Sequence, residues 1–422
     1  MTSEIKQRIE RIRRGEVPER YVKTALGLAP ANWKRYTFGD IYTERKEPGD
    51  ENLPLLMVSI HSGVSDGEVD AAELPKQVKR IEDKSQYKKA VSGDLVFNMM
   101  RAWQGAIGTV RTTGMVSPAY IVAEPNDKAY PLFMDYYSRT PQMINQIDRQ
   151  SYGVTDFRKR LYWDSFAPIS CTLPPIEEQQ KIAAILTTQD RVIELKEKRL
   201  AEKQRQKKYL MQQLLTGKKC LPGFSGEWKN IKLCEVLSER KEKNVEQNLR
   251  ICSVAVQKGV IDQIEHLGRS YAASDTSNYS VAHYGDIIYT KSPTGDFLYG
   301  IVKQNLLQET VAVSPLYGVF TPMTFGLGYF LHTYFQSAIC AQNYLLPIVQ
   351  KGAKNTINIT NDTFISSKLY LPLDVEEQKA IADTFIAADR EIELLRQDIR
   401  QEKQKKKALM QLLLTGIVRV TV

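Results

Sequence analysis

The chain repeats itself. Glu177-Glu178-Gln179 recurs 199 residues later as Glu376-Glu377-Gln378. Carried forward without a gap, that offset matches Ile182, Ala183, Asp190, Arg191, Ile193, Glu194 and Leu195 to Ile381, Ala382, Asp389, Arg390, Ile392, Glu393 and Leu394. The match closes on Leu214-Leu215-Thr216-Gly217 against Leu413-Leu414-Thr415-Gly416, with 19 of 41 positions identical between 177–217 and 376–416. Chance does not produce that agreement. A solenoid stacks units of about 20–45 residues, so a period near 200 reads instead as a duplicated two-part module.

The segments upstream repeat more loosely. Trp33-Lys34 and Glu44-Arg45-Lys46-Glu47 match Trp228-Lys229 and Glu239-Arg240-Lys241-Glu242, and Gly93-Asp94 matches Gly285-Asp286. Ser117-Pro118 with Tyr120 matches Ser314-Pro315 with Tyr317, and Asp164 with Phe166 matches Asp362 with Phe364. The order is therefore globular, helix, globular, helix. It divides the chain into a basic helical segment (1–30), a first module (31–172), a first helical spacer (173–219), a second module (220–370) and a second spacer (371–422). The fold class expected is a duplicated mixed α/β (α+β) module with two long helices forming an antiparallel coiled coil.

The helices are written plainly. Residues 176–216 contain no Gly or Pro and are rich in Leu, Ile, Ala, Lys, Glu and Gln, which helices favour or tolerate. Pro175 suits a first turn and Gly217 a C-cap. Each helix would run about 60 Å at 1.5 Å per residue. Leu186, Ile193 and Leu200, with Phe385, Ile392 and Ile399, recur every seven residues, the spacing of a coiled-coil seam. Two imperfect stripes in one chain pack most simply on each other. Glu4 to Arg14 is expected to form a short amphipathic helix beside the end of the second spacer.

Composition narrows the class. The chain has 422 residues, 42% hydrophobic and 25% charged, which is ordinary for globular protein. Five scattered cysteines form no CxxC pair, and the four histidines have no HExxH spacing, so no metal site is written here. No apolar leader opens the chain, and a cytoplasmic location is expected. Residues 311–350 lack Asp, Glu, Lys and Arg, long enough to span a bilayer, but prolines, glycines and amides interrupt them, so a buried core is expected and no membrane. The net charge of +9 is compatible with a nucleic-acid partner, although a charge run on a helix is often a solvated face.

Each module carries loop-like stretches able to reach base edges and phosphates. The first offers His61 and Ser62, then Asn98, Arg101, Trp103 and Gln104, then the cationic Arg158, Lys159 and Arg160. The second offers Gln257 and Lys258, then Lys291, Ser292 and Thr294, then Lys351, Lys354 and Asn355. Arg101 and Gln104 lead in the first module, Gln257 and Lys291 in the second. Matched frames with different tips, such as Arg101 against Pro293, suit two readers of different sequences. Catalytic signatures are missing: no GxGxxG, P-loop, GxSxG or Asn-Pro-Pro-aromatic element occurs. No catalytic residue and no metal ligand is expected.

Over its whole length the chain resembles the specificity (S) subunits of type I restriction-modification systems. The resemblance rests on Leu173-Pro174-Pro175-Ile176-Glu177-Glu178-Gln179 and its copy, on the Leu-Leu-Thr-Gly endings, and on the runs that open at Gly93-Asp94 and Gly285-Asp286. It implies a non-catalytic subunit with two target-recognition domains, each reading one half of a bipartite, asymmetric site in double-stranded DNA. The coiled coil would set the unread spacer and help dock two methyltransferase (M) subunits. It further implies motor-nuclease (R) subunits, with S-adenosylmethionine used by the former, ATP and Mg by the latter, and no cofactor bound by this chain. A non-enzymatic coiled-coil scaffold joining two protein-binding domains would share the helices, and a single-chain methylating or cutting enzyme would need motifs that are absent.

Overall fold

The apolar runs after the two Gly-Asp pairs become central strands, because β-branched and aromatic side chains fit a pleated, buried surface. The computed structural model describes residues 3–24, 27–50, 52–61, 63–65, 86–155, 158–224, 227–351 and 357–420. The chain divides into two units: Met1–Leu195 with Ile399–Val422, and Lys196–Asp398. The first unit holds an antiparallel sheet in the order Tyr42–Arg45, Tyr120–Pro125, Leu95–Asn98, Ile107–Thr109. The second holds its counterpart in the order Leu237–Glu239, Gly318–Pro322, Ile287–Tyr289, Val302–Gln304. The repeat in sequence is a repeat in topology.

A second sheet differs between the copies. In the second unit it is a single four-stranded sheet: Gly259–Asp262, Arg250–Ala255, Val311–Val313, Ser280–Ala282. In the first it is broken into the hairpin Val58–Ser59/Gly63–Val64 and the pair Lys88–Ala90/Gly114–Val116, with a parallel bridge between Leu55 and Met115. The uncharged stretch 311–350 holds strands Val311–Val313 and Gly318–Pro322 and helices Phe325–Tyr334 and Ala338–Leu345. Burial explains its composition: Val313, Phe320, Phe330 and Phe335 all lie in the second unit's core. Among the described residues no helix is long and apolar enough to cross a membrane.

The repeated motifs are contacts. Arg45 of the Glu-Arg-Lys-Glu run donates to the buried Asp94 of the Gly-Asp pair at 2.8 Å, and Arg240 donates to Asp286 at 2.6 Å. Burial raises the Asp94 carboxyl, against the pull of Arg45 and the Val91 N–H. Trp33 Nε1–H donates to Glu178 at 3.3 Å, as Trp228 does to Glu377 at 3.2 Å. Gln179 and Gln378 donate to the carbonyls of Pro174 and Pro372. So the motifs that survived the duplication tie strand, turn and helix start together; they are frame, not reading surface.

The two long helices are Ile176–Leu214 and Val375–Leu414. Gly217 and Gly416 sit at φ 67° and 70°, the left-handed cap that glycine adopts freely, with closing bonds between residues six apart, from the Lys219 N–H to the Gln213 carbonyl and from the Val418 N–H to the Leu412 carbonyl. Within the second unit Lys196 pairs with Asp398, Lys203 with Glu391 and Lys207 with Asp389. One number falls as the other rises, so the helices are antiparallel. In the first unit Gln189 donates to Glu402 at 2.7 Å and Lys406 pairs with Asp190.

The seam is less uniform than a seven-residue spacing suggests. Leu186 with Ile182, and Phe385 with Ile381, are packed into the globular cores of their units. Ile193, Ile392 and Ile399 are buried, and Leu200 is half-buried. The far ends are core as well: Leu413 and Leu414 in the first unit, Leu214 and Leu215 in the second. The charged middles carry the pairs between the helices, and Lys207 and Lys406 also reach Gln336 and the Tyr136 ring of the globular parts. Helix Ser3–Arg13 belongs to the first unit, where Arg8 donates to the Ile417 carbonyl at 3.3 Å and the Tyr21 hydroxyl to that of Gly416 at 2.6 Å. It lies beside the end of the second long helix.

Candidate nucleic-acid interface

In the first unit three separate stretches converge. His61 lies exposed at the tip of the 58–64 hairpin, its N–H donating to the Ser59 hydroxyl at 3.1 Å. A Cβ on Gly105 would stand 3.4 Å from the Ile60 carbonyl oxygen, so the hairpin abuts the 98–105 loop. That loop is tied to the 152–161 segment by the Leu161 N–H to the Met99 carbonyl, and by Lys159 Nζ 5.0 Å from the Trp103 ring centre. The patch is one surface.

Its residues divide by what already occupies them. Arg101, Gln104 and Arg158 are exposed, and their side chains make no hydrogen bond or ion pair among the described residues. They are available to a ligand. Asn98 accepts from the Met100 N–H at 2.8 Å and Trp103 Nε1–H donates to the Met100 carbonyl at 3.1 Å, so both shape the loop. Lys159 is paired with Asp148 at 2.8 Å, and Arg160 donates to the Lys159 carbonyl at 2.9 Å. Ser62 lies outside the described residues.

In the second unit Gln257 and Lys258 are exposed at the tip between Arg250–Ala255 and Gly259–Asp262. Ser292 and Thr294 are exposed in the loop after Ile287–Tyr289, where Thr294 and Phe297 bridge. Lys291 is half-buried with φ 59°, and burial pushes its ammonium below the usual lysine range, against the pull of Glu239. Lys351 is in strand Gln350–Lys351, paired with Ile357–Asn358; its side chain, with Lys354 and Asn355, lies outside the described residues. An exposed pair was not foreseen: the Arg269 guanidinium stacks 4.6 Å from the Tyr271 ring centre. No motif marks it. No group of three or more metal-ligating side chains occurs among the described residues.

Residues 72–204 and 227–403, more than half of the chain, match the family described as type I restriction modification DNA specificity domain. The chain belongs to that family. Its two matched segments are two specificity domains, one from each half of the repeat, and such domains recognise DNA rather than modify or cut it. The specificity subunit of the type I restriction enzyme MjaVIII of Methanocaldococcus jannaschii is 24% identical over 371 residues, covering 80% of this chain and 83% of the relative. The crystal structure of the type I restriction-modification S subunit from M. genitalium is alike in fold, with a TM-score of 0.53 at 10% identity over 93% of this chain and 97% of that one.

Proposed function

We propose that the chain selects DNA sites for a type I restriction-modification complex, each specificity domain reading one half of a bipartite, asymmetric site in duplex DNA. The observation that carries this reading is one frame bearing two different tips. The Arg–Asp, Trp–Glu and Gln–carbonyl ties recur in both units, while the exposed loops set Arg101 and Gln104 in one against Gln257, Lys258, Ser292 and Thr294 in the other. Guanidinium and amide groups are the side chains that read guanine and adenine in the major groove. Arg158 is our phosphate contact beside Arg101 and Gln104. Residues 31–172 and 220–370 are the recognition modules of this reading, and 173–219 and 371–422 the spacer.

The helices are the element we assign to spacing and docking. Leu195 and Leu394 hold matching places in the two copies, and both are half-exposed, at 50% and 56%. An identical apolar residue left in water twice in one chain suits a partner that binds twice. We infer that this partner is a methyltransferase subunit, present in two copies and bringing S-adenosylmethionine. Motor-nuclease subunits would bring ATP and Mg, and the whole would work in the cytoplasm.

The test is a map of N6-methyladenine in cells carrying this gene and its methyltransferase, and in the same cells with this gene deleted. A two-part motif with a fixed unread gap that vanishes on deletion is expected. A pattern unchanged by the deletion, with the methyltransferase expressed, removes the reading.

A further inference from the structure

The second unit contains a cleft of 1180 Å3, walled by parts of both long helices, strand Val302–Gln304, helix Phe325–Tyr334 and the hairpin tip at Gln257. Six Lys and Arg side chains line it against two carboxylates. Lys303 is the unusual one. It is only 4% exposed, yet its ammonium makes no hydrogen bond or ion pair among the described residues. Asp389, the carboxylate that acts on Lys303, is already used: it pairs with Lys207 through one oxygen and accepts the Tyr329 hydroxyl at 3.0 Å through the other. Lys207 also donates to Gln336 at 2.9 Å.

His332 supplies a second idle donor. Burial, then Lys303 and Lys207, hold its pKa down to about 3, so the ring is neutral. Nδ1 accepts the Gln304 N–H at 3.0 Å, which places the ring proton on Nε2. That N–H has no acceptor among the described residues. Two donors without a partner among the described residues, on side chains only 4% and 7% exposed, therefore line one cationic cleft. The duplicated frame does not demand it either. The strand register puts Lys303 opposite Ile288 and, in the first unit, Gly108 opposite Val96. There the space is filled by Asp135, whose Oδ1 lies 3.0 Å from where a Gly108 Cβ would be and which is paired with Arg139.

We propose that this cleft binds a phosphate group, held by the Lys303 ammonium and the His332 Nε2–H. A charge-assisted bond to each suits a phosphate oxygen, and Lys207 adds positive field from the first long helix. The phosphate belongs either to a small phosphorylated molecule or to the DNA backbone; only the second source rests on the DNA-reading function. Burial brings the Lys303 ammonium down to about 8, with Lys207 lowering and Asp389 raising it. Binding should accordingly weaken as pH rises past about 8, with His332 neutral and the Lys207–Asp389 pair in place throughout.

The experiment titrates the full chain with inorganic phosphate at constant ionic strength, read by calorimetry and by the melting temperature, for the native chain, K303M and K303R. The native chain should bind and be stabilised, K303R should retain binding, and K303M should bind at least tenfold more weakly while melting no lower without phosphate. Equal binding by K303M, or a K303M chain that melts well below the native one without phosphate, overturns the proposal. A duplex carrying the target site separates the sources. If it displaces phosphate and K303M weakens it too, the group is a backbone phosphate; if duplex binding is indifferent to both, it is a small molecule. The methylation map is read independently of either result.

Discussion

Glu178 and Glu377 hold the same place in the two copies, and their surroundings differ by one residue. Glu178 accepts from Arg419 Nε and Nη2, each at 2.7 Å to one carboxylate oxygen, besides Trp33. Arg419 corresponds by the 199-residue offset to Cys220, and Glu377 Oε2 is buried with no hydrogen-bond partner among the described residues. Removing one member of a buried pair leaves the other uncompensated. E178Q should therefore lower stability by about 2 kcal/mol, E377Q should be near neutral, and C220R should raise the melting temperature; thermal melts of the three variants check this. Lys303 gives a pH signature at the same scale. Its folded pKa is depressed, so between about 8 and its ordinary value of 10.5 the unfolded chain holds more protons than the folded one. Lys303 should then contribute stability that rises with pH across that window, by on the order of 2 kcal/mol, read as the difference between the native chain and K303M, because the buried Cys171 and Cys252 thiols act in the opposite sense. Melts between pH 7 and pH 10.5 measure it.

The long helices are held by their ends and by charge in their middles. Lys207–Asp389 and Lys406–Asp190 are the same pair made twice with the copies exchanged. A double-mutant cycle on K207M and D389N should show a coupling of about 1 kcal/mol, since the pair is only partly shielded from water. The ends depend on backbone shape. A Cβ at Gly217 would lie 2.8 Å from the Tyr370 ring in a left-handed conformation, so G217A should loosen the end of the first helix and lower the melting temperature by several degrees. The half-exposed Leu195 and Leu394 should tolerate charge in the free chain. L195E and L394E should each lose one methyltransferase subunit from the assembled complex, weighed by native mass spectrometry, with unchanged melting; a full complement in both variants would remove the docking role.

At the scale of the molecule, duplication permits a separable readout. Replacing Arg101 and Gln104 by alanine should relax one half of the methylated motif and leave the other half and the gap untouched. Exchanging residues 226–370 for those of another specificity subunit should change the other half alone. The methylation map reads both. Much of this was legible in one sequence, because duplication is self-similarity and needs no partner to detect. The halves, the helices, their Gly217 and Gly416 caps and the burial of 311–350 all follow from offset, periodicity and composition. The candidate loops were legible as chemistry, but not their use: Arg101 and Arg158 stand free while Lys159 is taken by Asp148 and Trp103, and Lys291 is half-buried. Nor could spacing join Arg45 to Asp94, 49 residues away, or Lys303 to His332, Lys207 and Asp389. Local order in a chain fixes propensity and pattern, since both act over a few residues. Which charge meets which depends on contacts between distant segments, and those exist only once the strands and helices have packed.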